Sequence, residues 1–255
     1  RSYSVTGVQT CALPIWGYGL IVCSSREDAE YEAKRLRFLS NRLVDGVVMI
    51  PATSRGEHVR EVQDKGIPVV FIDRMAADSS ADAVLVDNEG GAREATEALI
   101  ADGYKRIGFL GANLEVTTAR ERYKGYCDAM TSAGLVIEAN FTRFGSLHID
   151  SGYRYMEEML SRPDAPLAYF IVNAENHVGA TNYLMTAGRA HRDHIVFASF
   201  DEMPYSPLLQ YCRYSVSQPI GEMGETAARM LLGRIDSGTI GFPQIMRLKT
   251  TLIRH

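Results

Sequence analysis

The sequence predicts an α/β fold of parallel strands joined by helical crossovers, and three observations carry the prediction. From Gly17 onward, short apolar runs rich in β-branched residues alternate with amphipathic stretches of helical period. Runs such as IPVVFID are apolar without interruption, the mark of strands buried on both faces. At 255 residues and 46% apolar content, the chain is long enough to bury one large core or two moderate ones.

The elements follow in order. GYGLIVCS (17–24) reads as a strand and 27–42 as a helix, with Ala29, Ala33, Leu36, Leu39 and Leu43 near helical spacing. Strand GVVMI (46–50), a helix over 54–65 and strand IPVVFID (67–73) complete a first series. A second begins with AVLVDN (83–88), a helix over 89–102, strand RIGFLG (106–111) and a helix over 117–133 closed by Gly134. A helix over 151–161 is stopped by Pro163. Strand LAYFIV (167–172), a helix over 175–187 stopped by Gly188, and strand HIVFASF (194–200) continue the pattern. SVSQ (215–218) precedes a last helix over 220–236, and a β-rich tail ends the chain.

Composition excludes several classes of function. With 27 basic against 31 acidic residues the net charge is −4, and no basic run offers a face for DNA. Cys11, Cys23, Cys127 and Cys212 are scattered without a CxxC pair, which suits a reducing compartment, so the cytoplasm is expected. No apolar run approaches the roughly 20 residues that span a bilayer, and no membrane association is predicted. Residues 1–16 carry no periodicity, and VTGVQTCALPI resembles the translation of a sequencing-library adapter. They are set aside as a non-native segment; a native irregular strand is the alternative.

Open parallel sheets hold ligands beyond the carboxyl ends of their strands. The polar residues at those ends are Asp73, Arg74, Asp87, Asn88, Asn173, Asp201 and Glu202, which suit hydrogen bonding to a polar solute. Enzyme signals are weak: GFLGAN is not GxGxxG, and neither a P-loop nor GxSxG occurs. His191 and His194 in HRDH have no third ligand in view, so no metal site is expected. The expectation is a binding protein, not an enzyme, with no cofactor.

Six strings, GIPVVFIDR (66–74), VDN (86–88), GYKRIGFLG (103–111), ARERYKGY (119–126), SGYRYMEEMLSRPDAP (151–166) and VSQPIGEMGETAARMLL (216–232), resemble in order and spacing the effector-binding region of the lactose/galactose repressor family. The resemblance covers nearly everything from Gly17 to His255. It implies two Rossmann-like lobes of periplasmic-binding-protein type, joined by three crossovers, with ligand held in a cleft between them. The first lobe would comprise 17–86 with 219–240, the second 87–218 with 241–255. It further implies that one strand and a helix-turn-helix head precede Gly17 in the intact protein, so the first sheet should show an unpaired slot.

On this resemblance, Arg122 matches the arginine that reaches ligand hydroxyls or carboxylates; a solvated arginine paired to Glu121 or Asp128 is the alternative. Asp201 matches the aspartate that accepts from ligand hydroxyls or ring nitrogens, the alternative being a turn aspartate. Asn173 matches a strand-end asparagine, but Ala174 replaces the aspartate that customarily follows it. Asp87, Asp73 and Arg74 also lie at strand ends, the last two equally readable as an ion pair. Phe170 is a candidate ring against a sugar face, with core packing as its alternative. The function implied is sensing of a sugar or similar small effector by a homodimeric bacterial repressor that touches DNA only through the missing head. A periplasmic sugar-binding protein feeding a transporter is the alternative.

Overall fold

A computed structural model of the chain describes residues 17–77, 80–187, 194–206, 211–237 and 242–255. The expectations for residues 1–16, Gly188 and His191 lie outside these residues. The described residues divide into two units: those from Gly17 through Val86 with Pro219–Leu248, and Asp87–Gln218 with Lys249–His255. The tail, expected wholly in the second lobe, is thus shared between them.

Unit 1 holds helices α1 (Ala29–Asn41) and α2 (Glu57–Gln63), strands β1 (Val47–Met49), β2 (Val69–Ile72) and β3 (Asp82–Val86), and from the tail strand β9 (Ile245–Leu248). Its sheet runs β1-β2-β3-β9, parallel throughout. Alternation along β2 explains how both faces are covered. Val69 and Phe71 pack with Leu36 of α1 and Val59 and Val62 of α2. Val70 turns the other way, with Val84 and Val86, onto Met223, Ala227 and Leu231 of the last helix, α7 (Ile220–Ser237). Asp28 starts α1 by accepting from Tyr31 N at 2.9 Å. Asp82 opens β3 buried, gripped by Arg234 of α7 through two 2.8 Å bonds. Burial alone would raise its pKa, but bonds from Arg234 and the Gln244 N–H hold it below the usual value.

The strand expected at 17–24 does not form. Among the described residues no strand lies beside it, and β1 stands at the edge of the sheet. Leu20, Ile21 and Val22 are exposed, at 38%, 51% and 47%. An extended segment without a neighbour leaves its N–H and C=O groups to water, so β propensity alone does not make a strand.

Unit 2 is built around strands β4 (Ile107–Leu110), β5 (Thr142–Arg143), β6 (Ala168–Ile171), β7 (Val196–Phe200), β8 (Cys212–Ser217) and β10 (Thr251–Arg254). Their order is β10-β8-β7-β6-β4-β5, with only β10 antiparallel. Helices α3 (Asn88–Ala101) and α4 (Thr117–Ser132) cover one face through Ala92, Ala95, Leu99, Tyr126 and Met130. Helices α5 (Ile149–Leu160) and α6 (Ala174–Thr186) cover the other through Met156, Met159, Ala180 and Leu184. Gly125 lets α4 lie against α3, since a Cβ there would strike the carbonyl oxygen of Glu89. The strand order turns at β4, with β5 on one side and β6 on the other, so a switch point opens at the carboxyl ends of β4 and β6.

Candidate ligand site at the strand ends of unit 2

Arg122 sits in the second turn of α4 and is buried, 4% exposed. Its Nε donates to Asn88 Oδ1 at 2.8 Å, and its Nη1 to the carbonyl oxygen of Val172, just past β6, at 2.8 Å. One face of the guanidinium lies 3.7 Å from the centre of the Phe200 ring. Nη1 also stands 3.8 Å from Asp201 Oδ1. The solvated alternative is thereby removed: Glu121 accepts from Asn88 Nδ2, and Asp128 from Lys124.

Asp201 is the first residue after β7 and adopts a left-handed backbone, φ +74°. Aspartate tolerates that conformation better than most residues, which suits a sharp turn out of a strand. Its Oδ1 accepts from Gln218 Nε2 at 2.5 Å, and its Oδ2 from Ala174 N at 3.4 Å. Three elements distant in sequence, α4, the β6–α6 junction and the end of β7, therefore meet at one cation and one carboxylate. Behind them, Ser215 Oγ bonds both Glu202 and, at 2.8 Å, His255 Nε2, which braces the residue next to Asp201.

Asn173 lies beside this pair, but its polar atoms are engaged by the protein. Oδ1 caps α6 by accepting from Asn176 N at 3.1 Å, and Nδ2 donates to Leu147 O at 2.9 Å. Asp87 likewise caps α3, accepting from Gly90 N at 2.8 Å, while its neighbour Asn88 turns inward to Arg122. Phe170 is a correction: it is fully buried in the layer under α3 and α4, stacked on Phe109 with ring centres 5.9 Å apart, so no face of it is open to a ligand. Asp73 and Arg74 belong to unit 1. Asp73 too is left-handed, φ +68°, and Arg74 lies 3.4 Å from its Oδ2 and 2.6 Å from Glu27 Oε2.

Phe200 and Gln218 are the site residues that sequence reading passed over, and Asn88 was read only as one of several strand-end amides and acids. Each adjoins or lies close to a string that was read, in VDN, FD and VSQ, and what singles them out is contact across the fold. Among the described residues, no three of His, Cys, Asp and Glu are placed to share a metal ion. No helix among them is long and apolar enough to cross a membrane.

Comparison with known proteins gives the family and the fold. The family described as "Periplasmic binding proteins and sugar binding domain of LacI family" matches residues 4–245. The ribose operon repressor of Escherichia coli is 29% identical over 239 residues, 93% of this chain and 71% of that protein. A putative ribose operon repressor from Burkholderia thailandensis has the same fold at a TM-score of 0.86, with 29% identity over 98% of this chain and 92% of that one. The transcriptional regulator CelR, solved as a cellobiose complex, reaches a TM-score of 0.78 at 28% identity, over 89% of this chain and 69% of that one. Relatives that are transcription regulators favour the regulator over the transporter reading. The chain belongs to the LacI family and is an effector-binding domain of its transcription regulators.

Proposed function

We propose that this domain senses a sugar or similar small polar metabolite, with Arg122 and Asp201 as its principal contacts, and transmits occupancy to a DNA-binding head in a homodimer. The observation that supports the reading is the convergence of Arg122 and Asp201, 3.8 Å apart, at the strand ends of unit 2. A hydroxyl both donates and accepts, so it can satisfy a carboxylate and a guanidinium N–H together. The sugars in the names of the relatives agree with such a ligand. Transmission requires that the ligand bind one conformation of the domain more tightly than another; equal affinity for both would shift nothing.

The test is calorimetric titration of a sugar panel against the wild type, Arg122→Ala and Asp201→Ala, with an unfolding midpoint taken for each. Loss of a charge-assisted hydrogen bond should weaken binding by about tenfold or more in either variant. Unchanged affinity in both folded variants would reject the assignment.

A further inference from the structure

We propose, resting on the sensor reading above, that the effector is an uncharged polyhydroxy compound, and that its phosphorylated and carboxylated counterparts are rejected at Asp201. The cation of this cluster is Arg122, and the protein already engages part of it. A guanidinium grips a phosphate or carboxylate best through two parallel N–H bonds from one edge. Each edge of Arg122 has one nitrogen engaged by the protein, Nε by Asn88 and Nη1 by Val172 O, and Phe200 covers a face. Nη2 makes no hydrogen bond among the described residues, so it is the nitrogen left for a ligand's hydroxyl oxygens, and the Nε edge has no second free nitrogen with which to grip an anion.

Exposure within the pair points the same way. The Arg122 side chain is 5% exposed and that of Asp201 29%, so the partner an arriving molecule meets is the carboxylate. A carboxylate accepts hydrogen bonds from hydroxyls and repels a second anion. Arg120, two residues before Arg122, bonds the carbonyl of Leu114 at 3.3 Å. The arginine at the strand ends of unit 1, Arg74, is likewise committed to carboxylates, those of Glu27 and Asp73.

The experiment is calorimetry on the purified 255-residue protein with D-ribose, D-glucose and cellobiose against ribose 5-phosphate, glucose 6-phosphate and gluconate. A neutral sugar should bind, with its charged counterpart weaker by about a hundredfold or more. Asp201→Asn removes the charge while keeping a side chain that tolerates the left-handed backbone, and should narrow that gap by about tenfold. A charged compound binding as tightly as its neutral parent, or a gap unchanged in Asp201→Asn, overturns the proposal and leaves the sensor reading standing. Binding by no compound of either set overturns the sugar-sensor reading and this proposal with it.

Discussion

Each unit ends a central strand with a left-handed aspartate beside an arginine, yet the two pairs are made differently. In unit 1 the arginine is the next residue: Asp73 and Arg74 are chain neighbours, and Glu27, half exposed, shares the charge. In unit 2 Asp201 meets Arg122, which comes from another helix, is almost wholly enclosed and also ties down Asn88 and Val172. A local pair forms wherever the chain turns, whereas the distant one exists only when the whole unit is folded. The cost of breaking each should differ accordingly.

Truncating Arg122 to Ala should destabilise the protein by about 3 kcal/mol, because it strands a carboxylate, an amide and a buried carbonyl. Arg74→Ala should cost no more than about 1 kcal/mol, since water can replace it at Glu27. Urea unfolding of the two variants measures this, and equal losses would erase the distinction. Part of the Arg122→Ala effect on binding will then be structural, which is why the unfolding midpoint accompanies the titration.

Histidines sharpen the contrast. In unit 1 His58 Nε2 pairs with buried Glu32 at 2.5 Å, and Glu32 also accepts from Ala52 N at 2.6 Å. In unit 2 His177 of α6 is fully enclosed, edge-on to Phe197, and neither ring nitrogen has a hydrogen-bond partner among the described residues. Burial pushes its pKa down to about 4, with the charge of His255 adding to the effect. The unfolded chain takes up this proton near pH 6.5 and the folded one only near pH 4. Stability is therefore whole above pH 6.5 and falls as the pH drops through that window, by about 3 kcal/mol in all. His177→Leu should flatten that slope. Hydrogen exchange should show α6 loosening in acid before α1; the reverse order would contradict the assignment.

The smallest expected difference concerns glycines. A Cβ on Gly125 of unit 2 would meet backbone, the Glu89 carbonyl, whereas on Gly46 of unit 1 it would meet the Leu231 side chain, its tip most closely. Gly125→Ala should thus cost about 2 kcal/mol and Gly46→Ala less than about 1 kcal/mol, because a leucine tip can move and a packed helix cannot. Thermal unfolding midpoints of the two variants decide it.

Much of this architecture was legible because its elements are locally specified. The helix expected at 89–102 forms at Asn88–Ala101 because Asp87 caps it, and that expected at 117–133 forms at Thr117–Ser132. What escaped sequence reading depends on partners. Residues 17–24 have the composition of a strand but no strand beside them among the described residues, and the two-residue β5 is too short to carry a pattern. At the candidate site, Arg122 and Asp201 were proposed through resemblance to a family, but period and propensity do not say that Phe170 faces inward. Nor do they say that Asn173 spends its amide capping a helix, or that Asn88, Phe200 and Gln218 complete the cluster. Those facts belong to contacts between residues tens of positions apart.

The division of the chain bears on its synthesis. Val70, Val84 and Val86 are covered by α7, which begins at Ile220, after all of Asp87–Gln218 has been made. At translation rates of about 5–20 residues per second, the roughly 130 intervening residues take on the order of ten seconds. For that interval the nascent valine face lacks the cover of α7, while strands β4 to β8 of the other unit have all been made. Neither unit can close on its own stretch of chain: the first waits for α7 and β9, and the second for its edge strand β10, so both are finished only by the last thirty-odd residues.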